Sequence, residues 1–219
     1  FKQVGIGALS GFVTLTLIIL GLSIGGGTVT PTSEPSQSTS ALPSATPTST
    51  SGVGLGTSAL STDANVSLNS ANGPITIYGQ AATGANAGWG ILTYGGVTIN
   101  SGTSTVTMDG KSDSQAGNAV ELDPGTSTQL TKILSAATSG TAISITGTET
   151  GTLTSAGGQR GIASWGSGGL VINATGGGDV VLTGSTAVAN TTNPAAIYLQ
   201  GADILASTGN ITLNGGSKG

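Results

Sequence analysis

From residue 52 onward the apolar residues fall at alternate positions in short runs, and the runs recur. Five share one form: β-branched or aliphatic, any, aliphatic, any, glycine. They are Ile75 to Gly79, Val106 to Gly110, Ile143 to Gly147, Val180 to Gly184 and Ile211 to Gly215. Their closing glycines stand 31, 37, 37 and 31 residues apart. A second run precedes each of them, around Leu68, Ile99, Ile172 and Ile204, with an irregular member near Ile133 and Leu134. A third begins at Ile91, Val120, Ile162 and Ile197. Period-two alternation over so few residues predicts strands with one face inward.

Three strands in a fixed order, repeated every 31–37 residues, predict a mainly β fold. No single unit is large enough to bury its own apolar face, but stacked units bury a continuous one. The expected architecture is therefore a parallel β-helix (β-solenoid) over residues 52–219. Its variable loop falls between the glycine-closed strand and the next strand that begins with Ile or Val. A stack of this number of turns, at about 4.8 Å per turn, is only about 20–25 Å tall. A β-sandwich is the competing architecture, but it does not require the strands to recur in the same order.

The first 51 residues follow another pattern. Val4 to Ile24 is apolar and uncharged over 21 residues. At about 1.5 Å per residue this predicts a helix about 32 Å long, enough to cross a bilayer or line a filament core. Gly7 and Gly11 are four apart, as are Gly21 and Gly25. Small residues at that spacing let helices approach closely, so these four glycines are the candidate helix-packing residues. Residues 28–51 then read as an extended linker: 14 of the 24 are Ser or Thr and four are Pro. The dense hydroxyls also suit O-glycosylation. The expected division is a helix over 1–27, a linker over 28–51 and a solenoid over 52–219.

Composition narrows the chemistry. The chain has no His and no Cys, 6% charged residues and a net charge of −4. That excludes imidazole bases, thiolate nucleophiles, His- or Cys-ligated metals and disulfides. The weak acidic balance argues against nucleic acid as a partner. The Gly-rich stretches are not followed by the Lys-Ser/Thr of a phosphate cradle.

Asp109 with Asp113, and Glu121 with Asp123, are the acidic pairs of the solenoid. Neither recurs in adjacent turns to make a groove, so they read as solvated loop charges. A polysaccharide-active enzyme built on such carboxylates is the remote alternative. Gly177-Gly178-Asp179 matches one fragment of a calcium-binding repeat, in a single copy. Lys132 and Arg160 read as isolated solubilising cations. No catalytic residue, cofactor or metal is expected.

The aromatics carry more information. Tyr94, Trp165 and Tyr198 fall on the parity opposite to Ile91, Ile162 and Ile197, and Trp89 lies nearby. These four are the candidate contacts for a sugar ring or a neighbouring subunit.

Segments such as Ala196 to Gly201 followed by Ser207 to Gly215 resemble the repeats of filamentous-haemagglutinin-type adhesins. That resemblance covers about residues 60–216 and implies a right-handed parallel β-helix at a bacterial surface. Phe1 followed by an apolar run resembles the processed N-terminus of type IV pilin-like subunits. Gly5 stands where common bacterial pilins carry an acidic residue, so the likeness is to archaeal and divergent bacterial pilins. Together these imply a non-enzymatic, extracellular filament subunit that polymerises with itself and meets cell-surface glycans. A membrane-anchored adhesin or carbohydrate binder is the alternative.

Overall fold

The computed structural model describes residues 50–56, 65–83, 88–114, 116–151, 159–187 and 195–217. The expected helix, its glycines Gly7, Gly11, Gly21 and Gly25, and nearly all of the linker lie outside the described residues. Among the described residues no helix is long and apolar enough to cross a membrane.

The described residues make fifteen strands, three to a turn. The first turn holds β1 (Thr50–Gly56), β2 (Asn65–Asn69) and β3 (Ile75–Gln80). The second holds β4 (Gly88–Tyr94), β5 (Gly96–Asn100) and β6 (Val106–Ser112). The third holds β7 (Val120–Asp123), β8 (Leu130–Ser135) and β9 (Thr141–Glu149). The fourth holds β10 (Ile162–Ser164), β11 (Gly169–Ala174) and β12 (Asp179–Thr186). The last holds β13 (Ile197–Leu199), β14 (Ala202–Ala206) and β15 (Ile211–Ser217). Each strand pairs with the one three before it in the chain, giving three five-stranded sheets. All pairings are parallel. The fold is a parallel β-solenoid.

Register explains the core. Val53, Ile91, Val120, Ile162 and Ile197 stack in the first sheet. Leu68, Ile99, Ile133, Ile172 and Ile204 stack in the second. Ile77, Met108, Ile145, Leu182 and Leu213 stack in the third. The middle members of each column have no exposed surface. Each such side chain stabilises the fold by about 1.5–3 kcal/mol relative to an exposed one. Outward positions carry hydroxyls, as in the cross-turn row Thr76, Thr107 and Ser144.

The recurring glycine has a steric cause. Gly79, Gly110, Gly147 and Gly184 are mutual register partners at an inward position of the third sheet. There the backbone entering the first sheet passes close by. A Cβ at Gly147 would lie 1.9 Å from the Gly161 carbonyl oxygen, and one at Gly110 would lie 2.2 Å from that of Ala119. No side chain fits between those two backbones.

One boundary differs from the sequence reading. The first described strand, β1, starts at Thr50, two residues inside the expected linker, and is an additional first-sheet strand. Val53 and Leu55 supply its alternation, and Val53 pairs with Ile91. The irregular spacing after Ile133 is also resolved. Ile133 keeps register with Ile99 and Ile172. Farther along, the register between β9 and β12 shifts where Asp179 meets Thr141 but Val180 meets Ile143. The extra Ala142 is a buried bulge.

Candidate functional site

The outward face of the first sheet carries the densest side-chain chemistry. Leu92, Glu121, Ala163 and Tyr198 are register partners on that face. Arg160 enters from the corner just before β10. Its guanidinium carbon lies 4.4 Å from the Trp165 ring centroid and 4.6 Å from that of Tyr198. The two rings are 4.6 Å apart and tilted by 34°. Arg160 is 1% exposed, and its Nε and Nη1 have no hydrogen-bond acceptor. The π faces stand in for one, as the ring quadrupole attracts a desolvated cation. Ala163 has no exposed surface, although it faces away from the core.

Trp89 and Glu121 extend the cluster. The Trp89 indole N–H donates to Glu121 Oε2. Asn118 Nδ2 donates to the same oxygen at 2.7 Å, and Asn118 Oδ1 accepts the Arg160 backbone N–H at 2.9 Å. Burial pushes the Glu121 carboxyl above its usual range. The Asn118 and Trp89 hydrogen bonds oppose that rise, the Asp123 charge adds to it, and the Arg160 charge opposes it. Burial likewise lowers the Arg160 pKa, against the pull of Tyr198 and Glu121. The Asp123 carboxyl is raised by burial, partly offset by the Gly125 N–H, which donates to its Oδ1 at 2.7 Å.

Of the four candidate aromatics, the structure stacks Trp165 on Tyr198 and ties Trp89 to Glu121. Tyr94 stands apart, in register with Asp123 rather than with another ring. All four are half-buried. Arg160 is not the solubilising surface cation that the sequence suggested: its proximity to two rings keeps it out of water. Nor is Glu121 a solvated loop charge, because it lies in a strand and is held by two donors.

The opposite side of the same corner departs further from expectation. Ser112, Glu149 and Thr186 are register partners and continue the inward parity of the third sheet past the glycine column. Glu149 is 1% exposed. Burial pushes its carboxyl up to about 7, and the Asp113 charge adds to the rise. The N–H groups of Gly151 and Thr150 and the Ser112 hydroxyl oppose it. Ser112 Oγ and Ser114 Oγ are 2.9 Å apart, and each lies within hydrogen-bond distance of the Gly88 carbonyl. Among the described residues no group of three or more acidic, His or Cys side chains gathers as a metal site.

Sequence reasoning missed Arg160, Asn118, Glu149 and Gln159 as members of these clusters. A signal existed for Glu149: the alternation Ile143, Ile145, Gly147 places residue 149 on the inward face. None existed for Asn118 and Gln159, which lie in the variable corners.

No protein-family model, curated protein or solved structure matches the chain.

Proposed function

We infer that the chain is a non-enzymatic structural subunit of an extracellular, pilus-like filament. Residues 1–27 polymerise as a helix in the core, residues 28–51 connect, and the solenoid is carried outside. The observation that supports this reading is the solenoid itself, a rigid stack with an aliphatic interior, together with the long apolar run that precedes it. Such a stack is a spacer and a surface. Gly7, Gly11, Gly21 and Gly25 are the assembly residues in this reading, and the partner is a second copy of the chain.

Negative-stain microscopy of the purified full chain tests it. Regular fibres that vanish with Gly11→Asp or Leu15→Asp are expected. Detergent-soluble monomers that still bind sugars would overturn it in favour of a second reading, a membrane-anchored carbohydrate-binding adhesin. One observation favours that reading: Trp165 and Tyr198 form a half-buried aromatic pair on an outward sheet face, beside a guanidinium. Such surfaces stack well on sugar rings. Loss of glycan binding in Trp165→Ala, with the fold retained, is the expected result under it.

A further inference from the structure

The second sheet changes character along the stack. Its outward positions in the first two turns are polar: Ser67 and Asn69 on β2, Thr98 and Asn100 on β5. In the next three turns they become aliphatic, with Leu130 and Leu134 on β8, Val171 on β11 and Leu205 on β14. These alternate with Ile133, Ile172 and Ile204, which face the core. Leu205 is 48% exposed and Leu130 38%. The charged residues of this face are Lys132, half-buried, and Asp203, exposed. Neither has an ion-pair partner among the described residues.

Register arranges these side chains symmetrically. Lys132, Val171 and Asp203 form one row across three turns, and Leu134, Asn173 and Leu205 form the next. β11 is the centre of both rows. In the first the two ends carry opposite charges, and in the second both ends are leucine. A two-fold axis running along β11, above the sheet, therefore lays this face on a copy of itself with each row matched. Lys132 meets Asp203 of the second copy, and Asp203 meets its Lys132. Leu134 meets Leu205 of the second copy, and the two Val171 side chains meet on the axis. A third row fits as well. Leu130 is in register with Gly169, and the Gly201 carbonyl accepts the neighbouring Leu170 N–H from the last described turn. The same axis sets the Leu130 side chain over Gly201 of the second copy, where no side chain stands in its way.

We propose that this face, centred on Val171, is a self-association surface whose occupant is a second copy of the chain with its stack antiparallel. Such a contact is isologous, each copy using the same patch. With the stacks parallel, Lys132 would lie level with Lys132 and Asp203 with Asp203, so charge selects the antiparallel arrangement. Three strands of five or six residues cover roughly 15 by 20 Å. That is well below the ~800 Å² per partner of a standard interface, so the dissociation constant belongs on the order of 10⁻⁴ M. The contact matters most where copies are already held close together. It goes beyond the filament reading and does not rest on it.

Cross-linking of the full chain tests it. The chain has no Cys, so Val171→Cys adds a single thiol. Facing sheets stand about 10 Å apart, and a bis-maleimide that spans this gap should link two V171C chains at roughly 0.2 mM protein. Val181→Cys, at an outward position of the third sheet, should not be linked. If Val171→Cys lowers the urea midpoint, Asn173→Cys on the same axis replaces it. Added to V171C, Lys132→Glu and Asp203→Lys should each reduce dimerisation by about tenfold, because two attractions become two repulsions. An equimolar mixture of these two variants should restore it, since each copy then carries the charge that the other needs. No V171C dimer up to about 1 mM, equal linking at 181, or no recovery in the mixture overturns the proposal. The first of these results would leave the face bare or covered by the chain's own residues. Recovery in the mixture depends only on charges of the solenoid, so it stands or falls separately from fibre formation.

Discussion

The solenoid has two interiors that share one backbone rule. In the aliphatic columns each side chain meets its equivalent one turn away, Ile145 between Met108 and Leu182. A few residues farther along the same third-sheet strands, the column becomes Ser112, Glu149 and Thr186. The first kind of stack is satisfied by shape alone. The second needs a partner for each polar atom, and Glu149 Oε2 lacks one. Repetition therefore guarantees register but not chemical satisfaction. Where a column turns polar, the remaining partner must come from the variable corner or from solution.

The largest effect should come from the aliphatic side. Ile145→Ala should lower stability by about 2–5 kcal/mol, because neighbours held by turns above and below cannot collapse into the void. Urea unfolding should show a lower midpoint with an unchanged slope. A loss below about 1 kcal/mol would mean that the column relaxes and is not close-packed.

The polar side should respond to pH instead. The folded-state Glu149 carboxyl sits at about 7 against an ordinary 4.5. The folded state then binds the proton more tightly than the unfolded chain. Its stabilisation is fully present below pH 4.5 and is lost as pH rises to about 7, by roughly 3 kcal/mol. Glu121 and Asp123 are also raised and act in the same direction. The informative quantity is therefore the difference between wild type and Glu149→Gln, which should shrink the fall. Stability that increases over this window would show Glu149 to be ionised and paired.

These two interiors also differ in how far the sequence disclosed them. The five glycine-closed strands all form as read, because alternation and a steric glycine are local signals that repetition multiplies. The first and second sheets were equally legible, apart from β1, whose Val53 and Leu55 adjoin a Ser/Thr-rich stretch that masks them. The clusters were not legible. Arg160 is solitary in sequence; it meets Trp165 across the short β10 and Tyr198 only because consecutive turns stack. Gln159 reaches Ser114 across 45 residues through a loop of irregular length. Such contacts depend on the corner path, for which the repeat carries no pattern.

Arg160 offers a smaller test, on the outward face. Arg160→Met keeps most of the stem's packing but removes the cation. It should cost about 0.5–2 kcal/mol, the range for a guanidinium over aromatic rings. The tryptophan fluorescence of Trp165 should change with it. A neutral or stabilising result would show that burying the charge cancels the ring attraction.

The smallest effect should be in the last described turn. Leu213 belongs to the same column as Ile145 and Leu182 but is 50% exposed, and Ile211 beside it is 43% exposed. A depression there is lined by Ile197, Leu199 and Leu213. With half of its surface already in water, Leu213→Ala should cost only about 1 kcal/mol, against about 3 for Leu182→Ala. The column thus supplies its own control: one residue type, one register and one face, differing only in whether described turns pack on both sides. Equal costs at the two positions would mean that the end is covered in solution. The comparison should then be repeated at low protein concentration, where cover by a second copy would be lost and cover from within the chain would remain.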